Sequence, residues 1–176
     1  MQISRKGLIE LAGHEGICLK PYLDSVGVWT IGIGATKSEI PGLNGSHKEI
    51  TLQEAIDLYK KSIVKYTDAI TKALKVPVSQ EQFDALASIC YNIGTSGLSK
   101  STFLKRINAR GTLRSILDGI MMWKIPREII LRRSKEALLY ELGTYSNKGK
   151  AMVFPVRTSA QPNYSKGISV DLYKLL

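Results

Sequence analysis

The sequence predicts an α+β protein of two lobes: a small β-containing N-terminal lobe and a helical C-terminal lobe, joined by a long helix. Three observations predict it. Residues 26–33 are rich in β-branched and aromatic side chains and interrupted by glycine, as in a short strand region bounded by turns. Across residues 51–74, apolar side chains recur in alternating steps of four and three. That is one amphipathic helix of about 24 residues, so about 36 Å long. After Pro77, successive segments carry caps and helical spacing.

The first helix starts at Ser4, a capping residue, and presents Leu8, Leu11 and Ala12 at helical spacing. Gly13 and Gly16 bracket its end, which puts Glu15 at or just past the C-terminus. A carboxylate there meets the negative end of the helix dipole. The run Pro21-Tyr22-Leu23-Asp24-Ser25 breaks any helix, and Gly27 marks a turn or bulge before a small antiparallel sheet. Pro41, Gly42, Asn44 and Gly45 make the following stretch turn-rich.

Thr51 and Glu54 form a capping box at the start of the long helix, and Val76-Pro77 ends it. Ser79 and Gln82 form a second box, with Val78 stapled to Phe83. Residues 94–97 read as a loop. Ser101 caps a short helix to about Asn108, and residues 112–124 carry Leu113, Ile116, Leu117, Ile120 and Met121 on one face. Pro126 suits the first turn of a further helix stopped by Gly143. From Pro155 onward, periodicity fades. The expected organisation is one domain over residues 1–154, with the β lobe at about 14–50 and the connecting helix at about 51–74. The helical lobe takes about 75–154 together with the N-terminal helix. Residues 155–176 form a C-terminal tail expected to pack on the domain; a wall-contacting or partner-binding arm is the other reading.

Composition narrows the class. The chain has 176 residues, 44% of them hydrophobic, and a net charge of +10. The length fits one domain or two small lobes sharing a core. No apolar run reaches the roughly 18 residues of a membrane span. The N-terminus lacks the apolar core, about 7–15 residues long, of a signal peptide, so synthesis in the cytoplasm is expected. Cys18 and Cys90 have no metal-ligand spacing, and with two histidines in the chain no zinc site is expected. Buried free thiols are the expectation. The positive charge favours polyanions. It is spread along helix faces, with one cluster at Arg127, Arg132, Arg133 and Lys135, and no nucleic-acid-binding motif accompanies it.

The chemistry concentrates in residues 14–36. Glu15 and Asp24 stand nine positions apart, and Thr30 follows six later. An acid that protonates a leaving oxygen, a second carboxylate and a hydroxyl that holds water are the minimum equipment for glycoside hydrolysis. Isolated Glu, Asp and Thr residues are also ordinary caps and surface positions, so spacing alone does not decide. The motif does more. Glu15-Gly16, then Tyr22-Leu23-Asp24, then Gly27-Val28-Trp29-Thr30-Ile31-Gly32-Ile33-Gly34 resembles the phage-type lysozymes, the muramidases of glycoside hydrolase family 24. The resemblance continues in Gln82-Phe83-Asp84-Ala85-Leu86, in Tyr91-Asn92-Ile93-Gly94, around Arg132-Arg133 and Glu136, and in Gly143-Thr144-Tyr145. It covers roughly residues 4–147.

The resemblance implies a lysozyme-like fold holding a glycan between its lobes. It implies hydrolysis of the β-1,4 bond between N-acetylmuramic acid and N-acetylglucosamine in bacterial peptidoglycan, lysing the cell wall. Glu15 is then the general acid, with Asp24 and Thr30 managing the water. Arg132 is the expected arginine near the acid, with Arg133 one position away as the alternative. Tyr22, Gly32 and Asn92 are supporting or substrate-binding positions. Inversion is implied, with a Glu15–Asp24 carboxyl separation of about 6.5–9.5 Å. Neither cofactor nor metal is implied. The expected partner is the peptidoglycan glycan strand, without nucleic acid or stable membrane insertion. The protein is expected to be a monomer that reaches the wall after release through the membrane, with a holin-like partner. An effector or tail-associated lysozyme and a non-catalytic wall-binding module are the alternatives.

Overall fold

A computed structural model describes the whole chain, Met1–Leu176. It contains six α-helices: α1 (Arg5–Glu15), α2 (Leu52–Ala73), α3 (Gln80–Lys100), α4 (Thr102–Asn108), α5 (Leu113–Ile120) and α6 (Ile130–Leu142). Two antiparallel pairs complete it: β1 (Cys18–Leu23) with β2 (Trp29–Gly32), and β3 (Lys150–Val153) with β4 (Ile168–Asp171). The chain divides into two compact units. One comprises Met1–Leu8 and Ile63–Ser146, the other Ile9–Ser62 and Asn147–Leu176.

The helical unit forms where the capping signals are strongest. Ser79 accepts from the Gln82 N–H, and Gln82 returns a bond to the Ser79 N–H, closing the capping box of α3. Ser101 caps α4, Thr112 caps α5, and Gly143 ends α6 with φ +68°. α3 packs against α6, and α4 against α5. Phe83, Leu86, Ile89, Phe103, Ile107, Ile120 and Leu139 are all buried in its core. Residues 94–97, expected as a loop, are helical apart from Gly94 (φ 76°, ψ 164°), which kinks α3 and lets it run on to Lys100. Gly97 is closely packed: a Cβ there would lie 3.0 Å from Ile93 and 3.3 Å from Trp123. α5 stops at Ile120, four residues short of the expected end. Pro126 leads a single 3-10 turn before α6 begins at Ile130.

One buried carboxylate ties the first residues of the chain into this unit. Asp84, 1% exposed, accepts from the Ser4 N–H at 2.9 Å, the Ser4 hydroxyl, the Gln80 amide at 2.9 Å and the Tyr145 hydroxyl at 2.7 Å. Ser4 in turn accepts from the Gly7 N–H at 3.0 Å, the cap expected for α1.

The second unit contains both small sheets. Ile31, Ala35 and Leu43 form a core cluster, with Trp29, Ile40, Ile50 and Leu58 packed on it. The sequence-based boundary needs correction here. Residues 147–154 group with the β-containing unit, not the helical one, as does the second half of α1. Backbone pairing is the reason. β3 joins β4 through four residue pairs, Lys150↔Asp171 to Val153↔Ile168, and bridges Ile17 just after α1. Asn147 donates to the backbone oxygens of Ile9 and Glu10. The tail beyond Pro155 is folded within this unit, with Pro162 and Leu172 buried.

Both cysteines are buried and free. Burial pushes the Cys18 thiol up to about 11 and the Cys90 thiol up to about 12. A thiol reagent at about pH 8 should therefore react with the native protein about a hundred-fold more slowly than with the denatured chain, because the thiolate is the nucleophile. Fast labelling of either native thiol would contradict this burial. Asp84→Ala should lower unfolding stability in urea by about 2–3 kcal/mol, since it leaves four donors without their charged acceptor.

Candidate active site

The candidate site grows from the point where α1 stops. Glu15 is the last residue of α1 and is half-buried. Gly16 then adopts φ +72°, a left-handed conformation that L side chains rarely take. Space enforces glycine as well, because a Cβ on Gly16 would lie 2.9 Å from the Phe154 ring. The reversal turns the chain into β1 and leaves Glu15 as the final residue of the helix.

The β1–β2 hairpin carries the other carboxylate. Asp24 follows β1 directly, and its Oδ1 accepts from the Val26 N–H at 3.0 Å and the Val28 N–H at 2.8 Å. The Asp24 N–H donates to the Val28 carbonyl at 3.0 Å. The side chain thus imitates a backbone turn and holds its own orientation. Thr30 is buried in β2, and its hydroxyl donates to the Val28 carbonyl at 3.0 Å. With its proton committed, Thr30 Oγ1 offers its lone pairs as an acceptor. Tyr22 pairs with Thr30 across the ladder. Burial first, and then Cys18, Glu15, Tyr164 and Asp24, push the Tyr22 phenol well above its ordinary value, so it keeps its proton at neutral pH. Gly32 ends β2 with φ +67°, and a Cβ there would meet Ala55 at 3.4 Å. Its backbone therefore passes close to the first turns of α2. Glu15, Tyr22, Asp24, Thr30 and Gly32 all fall within the β-containing unit.

Arg132, Arg133 and Asn92 belong to the helical unit. Arg133 is completely buried. Its Nε donates to the Trp123 carbonyl at 2.9 Å, Nη1 to Glu136 Oε2, and Nη2 to Asn92 Oδ1 at 2.6 Å. Burial draws the guanidinium below its usual value, Glu136 opposes that, and Arg132 adds to it. Arg132 donates through Nε to Glu136 Oε1 at 2.9 Å and through Nη2 to the Ser88 carbonyl at 3.3 Å. Asn92 is thus a ligand of Arg133. Of the two arginines, Arg132 alone keeps side-chain exposure, at 12%.

Two features escape sequence reasoning. Glu10 is 2% exposed, with His14 Nε2 3.5 Å from its Oε1 and the Asn147 N–H donating to its Oε2 at 3.0 Å. The Glu–His pair at i, i+4 was its one local signal. Phe154, Ala160 and Tyr164 border the site from a segment with no periodic pattern.

Comparison with known proteins bears on this geometry. The family model described as Phage lysozyme matches residues 12–136. The endolysin of Salmonella phage P22 is 35% identical over 144 residues, covering 80% of this chain and 98% of the relative. The endolysin of Acyrthosiphon pisum secondary endosymbiont phage 1 is 32% identical over 150 residues, covering 80% and 99%. Among solved structures, the endolysin from Escherichia coli O157:H7 phage FAHEc1 superposes with a TM-score of 0.75 at 35% identity, covering 83% of this chain and 97% of that one. The muramidase domain of SpmX from Asticaccaulis excentricus gives 0.71 at 26% identity, covering 79% and 97%.

Glu136→Ala should destabilise the protein by about 3–5 kcal/mol in urea titration, because it strands the buried Arg133 charge. Replacing the pair together, with Arg133→Met and Glu136→Leu, should recover most of that loss. A single variant no worse than the double one would refute this account.

Proposed function

The chain belongs to the phage lysozyme family, an enzyme family of glycoside hydrolases, and on that premise we propose that it cleaves the β-1,4 bond between N-acetylmuramic acid and N-acetylglucosamine. Glu15 protonates the leaving glycosidic oxygen. Asp24 and Thr30 hold and activate the water that attacks the anomeric carbon from the opposite face.

One arrangement above all supports this reading. Asp24 Oδ1 is occupied by two backbone N–H groups, which leaves Oδ2 for a water. Thr30 Oγ1 has spent its proton on Val28 and acts as an acceptor. A water donating to both has its protons engaged and a lone pair free for attack. Asp24 then takes the proton as the C–O bond forms. The outcome is inversion, with a carboxyl separation of about 6.5–9.5 Å to admit the water. Tyr22, which keeps its proton, supplies a hydroxyl donor from the position paired with Thr30 across the ladder.

The chain acts as a monomer on glycan strands, to which its charge of +10 draws it by diffuse attraction. It is made in the host cytoplasm and reaches the wall after release through the membrane, with a holin-like partner. No helix is long and apolar enough to cross a membrane.

The test is mass spectrometry of digested peptidoglycan. Wild type should yield fragments ending in reducing muramic acid, with the α-anomer first by NMR. Glu15→Gln should lower the rate by roughly 10²–10⁴-fold. Asp24→Asn should lower it similarly, and Thr30→Ala less. Anhydro-muramyl ends, or a Glu15→Gln variant at wild-type rate, would overturn the assignment.

A further inference from the structure

The segment that follows the helical unit touches the backbone on either side of the site. We propose that residues 152–164 form a clamp that sets the separation of Glu15 and Asp24, with Phe154 and Ala160 as its positioning residues. The proposal rests on the glycosidase reading above, and it concerns residues beyond the 12–136 span of the family match.

The first arm of the clamp grips the end of α1. The Ile17 N–H donates to the Met152 carbonyl at 2.8 Å, and the Phe154 N–H donates to the Ile17 carbonyl at 2.8 Å. Residue 17 is thus held on both sides two positions after Glu15. The Phe154 ring fills the space over Gly16. A Cβ on Gly16 would lie 2.9 Å from the ring, and one on Gly167 would lie 2.5 Å from it. The ring is therefore sandwiched between two glycines that only glycine permits to come so close. Tyr164 stands edge-on to it, 5.1 Å between centroids at 72°.

The second arm grips the start of the catalytic turn. The Leu23 N–H, one residue before Asp24, donates to the Ala160 carbonyl at 2.8 Å. That carbonyl is presented by a tight turn. The Arg157 N–H bonds the Gln161 carbonyl at 2.9 Å, and the Ala160 N–H bonds the Arg157 carbonyl at 2.9 Å. Ala160 itself sits at φ +57°. The arms are joined at their base by the Asn163 N–H to the Pro155 carbonyl, 2.8 Å, and by the bridge Val156↔Pro162.

The two carboxylates lie on different elements, a helix end and a hairpin turn. One continuous, internally bonded segment holds the residue before Asp24 and the residues just after Glu15. Displacing either arm changes the distance between proton donor and water-holding carboxylate. Rates of such reactions are sensitive to that distance: a displacement of about 1 Å can lower them by about 10²-fold.

The test compares four variants on soluble glycan strands, at a temperature where circular dichroism shows each fully folded. Phe154→Ala empties the space over Gly16, and Phe154→Leu keeps most of it filled. Ala160→Val places a β-branched side chain at positive φ and displaces the carbonyl, whereas Ala160→Gly tolerates that conformation. The expected result is a fall in kcat of about 10–100-fold for Phe154→Ala and Ala160→Val, with KM within about two-fold of wild type. Phe154→Leu and Ala160→Gly should recover most of kcat. If Phe154→Ala does not fold, the Ala160 pair carries the comparison. Folded Phe154→Ala and Ala160→Val variants with wild-type kcat would overturn the clamp and leave the glycosidase reading standing. A wild-type chain that leaves the glycan uncut removes that reading and the clamp with it.

Discussion

A left-handed glycine, Gly16, ends α1 one residue after Glu15, and the geometry of the site depends on that stop. A helix continuing by one more turn would take up Ile17 and Cys18, which here form the bridge to Val153 and the start of β1. Instead the chain reverses, the Ile17 N–H and C=O are captured by β3 and the residue after it, and β1 begins. The Phe154 ring and the positive φ act together here: either would disfavour a side chain at position 16, and both do. The helix end and the hairpin are thereby held at fixed offsets within one compact unit.

Asp24 shows how a single carboxylate orders a turn. Its Oδ1 replaces backbone acceptors in the hairpin turn, so the turn and the carboxylate orientation are one structure. Thr30 is fixed in the same way, its hydroxyl proton held by the Val28 carbonyl. Each side chain is thus held in one orientation by backbone groups close to it in sequence. Glu10 lies one turn before His14 and Glu15, bonded to Asn147, and connects α1 to the segment that carries β3.

The helical unit handles charge differently. Arg133 and Glu136 are both buried, and every guanidinium nitrogen of Arg133 has a partner. Such a pair contributes little net stability over an apolar replacement, yet it strongly penalises any arrangement that separates its members. It therefore specifies how α3, α6 and the Trp123 region meet. The side-chain oxygen of Asn92 completes the coordination of Arg133.

Much of this was legible in the chain itself. Caps at Ser4, Thr51, Ser79, Ser101 and Thr112, and the stop at Gly143, are local hydrogen-bond chemistry, and local chemistry is written in consecutive residues. The same holds for the spacing of Glu15, Asp24 and Thr30, and for the family to which the chain belongs. What tertiary structure alone decided was non-local. The pairing of β3 with β4, the capture of Ile17 and Leu23 by the C-terminal segment, and the grouping of 147–154 with the β-containing unit join residues far apart in sequence. Short strands and irregular turns carry no periodicity to announce their partners, because their bonds are made by backbone groups that every residue possesses. Sequence by itself determined the caps, the helix stops and the family signature; only the packed chain decided which distant backbone groups meet.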